Sequence, residues 1–141
     1  MADDAAGHTV DEHLQAVREI YAAFGQGNLP AVLAALADDV EWRVEGPPAI
    51  RYAGTRRGRR QVTEFFAALA EAVEVERFEP RRFIAQGDCV VVLGCEQLRV
   101  RSTGRTVRDD WVQVFTFRDG RVAHFREYLD SAAVAEAFRG A

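Results

Sequence analysis

Two hydrophobic periods divide the chain. Near the N-terminus Val17, Ile20, Tyr21 and Phe24 recur at intervals of three and four, the spacing of one helix face. Thr9 and Glu12 stand as a capping box at its start, and Gly25-Gln26-Gly27 ends it. Asn28 is placed to cap a second helix with apolar Leu29, Val32, Leu33 and Leu36. Val40, Trp42 and Val44 then alternate with Glu41, Arg43 and Glu45, which predicts a half-buried strand, broken by Gly46-Pro47-Pro48. Helical spacing returns over residues 58–73 through Val62, Phe65, Phe66, Leu69 and Val73. Beyond that the period is two. Strands are predicted over roughly 76–86, 89–101, 106–117 and 121–129, with Gly87-Asp88, Thr103-Gly104 and Asp119-Gly120 as turns. Asp130 or Ser131 caps a last short helix to Phe138.

Residue choice supports this division. Alanine is absent between Gln86 and Val122, where valine is abundant, and alanine favours helix as valine favours strand. Short connections make sequential strands antiparallel. The expected architecture is α+β, with helices on one face of a curved, mainly antiparallel sheet. Residues 1–8 read as a disordered arm, and 9–141 as a single domain.

Strand pairing decides which polar residues meet. A two-residue turn at Thr103-Gly104 sets Glu96 opposite Trp111 and Leu98 opposite Asp109. One face then carries Val92, Glu96, Leu98, Asp109, Trp111 and Gln113. The last hairpin has two readings. A two-residue Asp119-Gly120 turn sends Glu127 to the opposite face. A three-residue loop, Arg118-Asp119-Gly120, pairs Phe117 with Arg121 and Glu127 with Trp111. The second puts Phe115, Phe117 and Phe125 on one side, which favours it. Glu96, Asp109 and Glu127 then share a concave face walled by Trp111, Leu98, Phe115 and Phe125. Burial and mutual repulsion raise the pKa of such carboxyls, as a proton shuttle requires. The plain alternative is a solvated sheet rim.

Val91, Leu93, Cys95, Val112, Val114, Val122 and Tyr128 fall on the other face. Apolar on both sides, the sheet needs a second cover, and a second copy of the chain is the simplest. His124 is expected at that interface. The cluster Arg56-Arg57-Gly58-Arg59-Arg60 reads as a solvated turn, with an anion site as the alternative.

Composition narrows the chemistry. The 141 residues carry a net charge of −4, which argues against nucleic-acid and anionic-membrane partners. All 18 basic residues are arginine, which removes lysine Schiff-base chemistry and a P-loop. Cys89 and Cys95, six apart in one strand that rises about 3.3 Å per residue, lie beyond disulfide reach. Free thiols, and no apolar run of membrane length, point to the cytoplasm. With His8, His13 and His124 as the only histidines and no Cys-x-x-Cys, no metal site is expected.

Four segments in order carry a resemblance: Val17 to Phe24 with Gly27-Asn28-Leu29; Ala37-Asp38-Asp39-Val40-Glu41-Trp42; Tyr52-Ala53-Gly54 with Arg57-Gly58; and Phe117 to Val122 with Phe125 to Asp130. Together they resemble the SnoaL-like branch of the nuclear-transport-factor-two-like superfamily, over about residues 10–139. Its relatives include polyketide cyclases, ketosteroid isomerases and limonene-epoxide hydrolases. The resemblance implies a cone-shaped fold, a curved sheet wrapped on three to four helices. The isomerases' base Asp, first-helix Tyr and oxyanion-binding Asp fall at Val44, Ile20 and Gln113, so their mechanism does not transfer. The epoxide hydrolases' closing motif places a catalytic acid at Glu127 and its partner at Glu96. Their intervening Arg falls at Gly94, and their water-holding Tyr and Asn fall at Trp42 and Val44. The cyclases' acid/base also falls at Glu127.

The resulting expectation is a cofactor-free enzyme acting on an apolar small molecule by cyclisation, isomerisation or epoxide opening. Glu127, Glu96 and Asp109 are its acids. Tyr21, Phe24, Trp42, Val44, Phe65, Leu98, Trp111, Gln113, Phe125 and Leu129 are its pocket, with Trp42 and Gln113 as donors to a ligand oxygen. A binding protein for an apolar ligand and a dimeric scaffold with a filled pocket are the alternatives.

Overall fold

The computed structural model describes residues 9–139. The arm expected at residues 1–8 lies outside them. The elements are α1 (Val10–Gly25), α2 (Leu29–Ala34), β1 (Leu36–Val44), β2 (Gly54–Arg57), α3 (Gly58–Ala72), β3 (Val73–Gln86), β4 (Cys89–Val100), β5 (Thr106–Arg118), β6 (Arg121–Leu129) and α4 (Ser131–Phe138). Side chains cap three helices as their sequences require. Thr9 and Glu12 form a reciprocal capping box on α1. Asn28 accepts from the Ala31 N–H, and Asp130 from the Ala133 N–H, at 3.2 and 3.1 Å.

The six strands form one sheet in the order β2-β1-β6-β5-β4-β3. All pairs are antiparallel except β1–β6, which brings Trp42 beside Phe125 and Val44 beside Glu127. Two assignments change. The four-residue strand β2 is too short to show a period of its own, and Leu36 opens β1 rather than continuing α2. Pro80 sits in β3, an edge strand, where its missing N–H removes no necessary ladder bond.

The two hairpin registers differ from expectation. Between β4 and β5 the connection is five residues, Arg101 to Arg105, with Gly104 at φ 74°. Glu96 therefore faces Asp109, and Gly94 faces Trp111. The shift is two residues, so every side chain keeps its expected face. The last hairpin combines both readings. Its turn is the two-residue Asp119-Gly120, since Arg118 pairs with Arg121. A bulge between Thr116 and Phe117 then skips Ala123, and Glu127 pairs with Gln113. The bulge returns Glu127 to the inner face, while the two-residue turn sets Val122 opposite Phe117, fully buried rather than on the outer face.

The core lies between the helices and the concave face of the sheet. It includes Val17, Ile20, Val40, Val62, Val90, Val92, Val100, Phe115 and Phe117. His13 is buried there too, stacked on Phe117 with its Nδ1 3.1 Å from the Gly87 carbonyl oxygen. Trp111 is held between Phe78, stacked at 4.7 Å, and the backbone of Gly94. A β-carbon at Gly94 would overlap the Trp111 ring and the Glu79 carbonyl oxygen. Glycine is the residue that fits, and an arginine does not.

Candidate functional site

The concave face holds a cavity of about 60 Å³ between α1, α3 and the sheet, room for a few waters. Its walls are mainly aromatic: Tyr21, Phe24, Trp42, Tyr52, Phe65, Phe66, Phe78, Phe115 and Phe125. The rings support one another. Trp42 stacks on Phe125 at 3.8 Å and meets Phe65 and Phe66 at 5.5 and 5.6 Å. Tyr21 packs edge-on against Phe83 and Phe115. An apolar groove of about 390 Å³ adjoins the cavity through shared Phe24, Val32, Phe66, Leu69 and Val75.

Polar groups enter this cavity as a connected line. The Tyr21 hydroxyl donates to Gln113 Oε1 at 2.8 Å, and Gln113 Nε2 donates to Glu127 Oε1 at 2.8 Å. Tyr21 comes from α1, Gln113 from β5 and Glu127 from β6, so the line depends on the bulge that turns Glu127 inward. Burial pushes the Glu127 carboxyl up, the Asp109 charge adds to this, and the Gln113 hydrogen bond opposes it; the result is about 7. Glu127 is half-buried and lines the cavity.

Glu96 lies on the same wall, 8% exposed. Burial, the Glu127 charge and the hydrogen bond with Asp109 push it to about 10, so it is a neutral acid at pH 7. Asp109, directly opposite, is also raised by burial, against hydrogen bonds from Glu96 and the Asp130 N–H. The Asp130 N–H reaches Asp109 Oδ2 at 3.2 Å, while Oδ1 is buried with no donor among the fixed N–H and O–H groups. Behind the pair lies a polar cleft lined by Arg77, Arg81, Arg108 and Asp110, which both Glu96 and Asp109 reach. The pair thus separates the aromatic cavity from a surface cleft.

Of the residues expected at the site, Tyr21, Phe24, Trp42, Phe65, Leu98, Gln113, Phe125, Glu96 and Glu127 line the cavity. Asp109 does not; it backs Glu96 from the cleft side. Nor do three pocket candidates. Val44 is packed into the core at 1% exposure. The indole of Trp111 is taken up by Phe78 and Gly94. Leu129 pairs with Trp111 at the end of β6. Other lining residues were not expected there. Ile20, Val32, Phe66 and Leu69 carry only a core-face signal. Val75 and Phe78, three apart, share a face only because a bulge interrupts β3 between them. Tyr52 sits in the loop before β2, where no period places it. Three arginines of the cluster bond within the chain. Arg57 pairs with Glu41, Arg59 with Asp38 and the Leu36 carbonyl, and Arg56 with the Tyr52 carbonyl. Both cysteines are free thiols.

A curved, mainly antiparallel sheet closed by helices is the nuclear-transport-factor-two-like fold. Residues 17–125 match the SnoaL-like domain, and the chain belongs to that family. It is similar to an NTF2-like protein from Burkholderia xenovorans LB400, with 39% identity, TM-score 0.85, and coverage of 93% of this chain and 98% of that one. It is similar to TerC, crystallized with polyporic acid, at 29% identity and TM-score 0.82, over 92% and 99% of the two chains. An uncharacterized protein of Mycobacterium tuberculosis strain H37Rv is 27% identical over 130 residues, which are 92% of this chain and 98% of that protein. Among the described residues no helix is long and apolar enough to cross a membrane.

Proposed function

We propose that the protein is a cofactor-free enzyme that transfers a proton at carbon on an apolar, oxygen-bearing small molecule, the first step shared by isomerisation and cyclisation. The observation that carries this reading is Glu127, poised near pH 7 at the wall of an aromatic cavity and held in place by the Tyr21–Gln113 line. The Glu127 carboxylate takes a proton from the carbon beside a carbonyl, and the C–H electron pair moves onto the carbonyl oxygen as an enolate. Return of that proton to another carbon isomerises the molecule. Attack of the enolate carbon on a second carbonyl of the same molecule closes a ring, as that C=O π pair moves onto its oxygen and takes the proton back from Glu127. Glu96 lines the same cavity as Glu127 and, with Asp109, reaches the outer cleft, so the pair is proposed to let protons equilibrate with solvent while a ligand fills the cavity.

Epoxide opening is less well supported. Gly94 stands where the epoxide hydrolases carry the Arg between their acids, Trp42 and Val44 stand where they hold the water, and an indole N–H donates without accepting. TerC, similar along nearly its whole length, supports a small-molecule pocket through its crystals with polyporic acid. A filled-pocket scaffold has one observation in its favour, the small size of the cavity. Against it stand buried carboxyls, which a purely structural core has no use for. The outer face, with Ile84 47%, Leu93 37% and Tyr128 43% exposed, is proposed to pair with a second copy of the chain.

The test uses phenylacetone as a carbon acid in D2O, followed by proton NMR. Wild type is expected to speed deuterium entry at the benzylic CH2, and Glu127→Gln to lose roughly 10²–10⁴-fold of that rate. Equal exchange by the two proteins refutes Glu127 as the base.

A further inference from the structure

The cavity beside Glu127 has room for a few waters and not for a whole substrate, since small-molecule sites run to roughly 300–1,000 Å³. The apolar groove that adjoins it, at about 390 Å³, supplies the missing space. Phe24, Val32, Phe66, Leu69 and Val75 line both, so the two meet along one apolar wall. Val32 is buried there, whereas Val75, on the edge strand β3, is 37% exposed. Among the described residues Arg101 is the only charged one on the groove walls. It opens the β4–β5 connection, where its main-chain N–H donates to the Ala72 carbonyl and its Nε to the Ala70 carbonyl, both at 3.0 Å. Ala70 is itself a groove residue, so these bonds hold the guanidinium at the groove, against the end of α3. Nearby arginines are neutralised: Arg99 pairs with Glu74, and Arg105 with Glu136. Among the described residues no carboxylate pairs with Arg101, and its two Nη groups bond nothing. With Nε engaged, the edge that remains is the two-Nη fork, which fits a carboxylate through two parallel N–H donors.

We propose that the groove seats the distal part of the substrate, and that the substrate is a slender apolar carboxylic acid. Its carboxylate lies on the Arg101 fork, its chain against Phe24, Leu29 and Leu69, and its carbonyl-bearing end in the cavity at Glu127. This deepens the proton-transfer reading and rests on it. Charge sets the direction of entry. An ionised Glu127 repels a carboxylate from the cavity, and Arg101 attracts it at the outer end, so the uncharged end goes in. Size agrees, because a narrow chain end suits a space of about 60 Å³ and a fused ring system does not. Burial of the chain in the groove supplies most of the affinity, and Arg101 supplies the choice of end group.

The test titrates octanoate and octanamide, equal in length and similar in shape but different in charge, into wild type, Arg101→Gln and Leu29→Gln, followed by NMR. Wild type is expected to bind octanoate roughly three- to tenfold more tightly than octanamide. Arg101→Gln should erase that preference while holding octanamide within about twofold of wild type, which also shows that the groove is still folded. Leu29 lines the groove and not the cavity, so Leu29→Gln should weaken both ligands by roughly threefold or more. Both ligands should shift the side-chain amide signals of Gln113, because the chain end reaches the cavity. The acid seat is overturned if wild type binds the two equally or binds neither. It is equally overturned if the octanoate preference survives Arg101→Gln, if Leu29→Gln binds like wild type, or if Gln113 does not respond. The proton-transfer reading is decided separately: it fails if Glu127→Gln exchanges phenylacetone like wild type, whatever the titrations show.

Discussion

Replacing Glu127 with Gln should stabilise the fold while removing its proton transfer. Gln is nearly isosteric, and its amide oxygen can keep the hydrogen bond from Gln113 Nε2. What changes is the charge. In the folded protein Glu127 titrates near 7, against 4.5 for an unhindered glutamate. A folded-state pKa above the unfolded value means that the folded state holds the proton more tightly. The benefit of that proton is complete below about pH 4.5 and is lost as pH rises through 7. Over those 2.5 units the ionised carboxylate comes to weaken folding by about 3 kcal/mol, at about 1.4 kcal/mol per unit. The neutral amide avoids this loss. Glu127→Gln should therefore exceed wild type by about 3 kcal/mol at pH 8, by less than about 1 at pH 5, and not at all below pH 4. Urea unfolding at fixed protein concentration, repeated at each pH, measures the difference; fixed concentration keeps any self-association constant. A difference that does not grow with pH would refute the buried, proton-holding Glu127. A variant less stable than wild type at pH 8 would refute it more directly.

Three further outcomes follow from the same geometry. Asp109→Asn removes a charge that raises Glu127, so the pH midpoint of phenylacetone deuterium exchange should move below that of wild type. An unmoved or raised midpoint contradicts the coupling. Gly94→Ala places a methyl group against the Trp111 ring and the Glu79 carbonyl, and should lower unfolding free energy by about 1–3 kcal/mol in urea titrations. Leu93→Arg puts a charge in the exposed apolar patch. Sedimentation should show wild type at twice the 15.7 kDa chain mass and the variant near one chain mass, and a monomeric wild type rejects the sheet interface.

Much of the fold was legible because most of its signals are local. The helix caps at Thr9, Asn28 and Asp130 and the turns at Gly87-Asp88 and Asp119-Gly120 depend on a few adjacent residues. The site was legible only in part, because it depends on parity across strands. A strand's faces survive a register error of two, which is why Glu96 kept its face although its partner changed from Trp111 to Asp109. They do not survive an error of one. Glu127 reaches the cavity because one unpaired residue, Ala123, offsets a two-residue turn; Phe125 marks the inner face of β6, but nothing local marks the bulge. The Val75–Phe78 wall depends on a bulge in the same way.

Tyr52 escaped for another reason. It lies in the irregular segment after Gly46-Pro47-Pro48, where neither period applies, and its burial comes from Phe65 on α3 and Phe138 on α4. That absence of local reason is itself informative about what the residue does. Repeating positions such as Val90, Val92 and Val100 are accounted for by packing alone. A tyrosine buried from a loop with its hydroxyl unbonded satisfies neither propensity nor hydrogen bonding. Phenylalanine would fill the same space without the unmet donor. Departures of this kind concentrate where a protein trades stability for a ligand. The same is true of Glu127 and Glu96, whose neutral isosteres would fold better. Three residues on different elements, each unfavourable for folding and all facing one cavity, are a stronger sign of chemistry than any one of them alone.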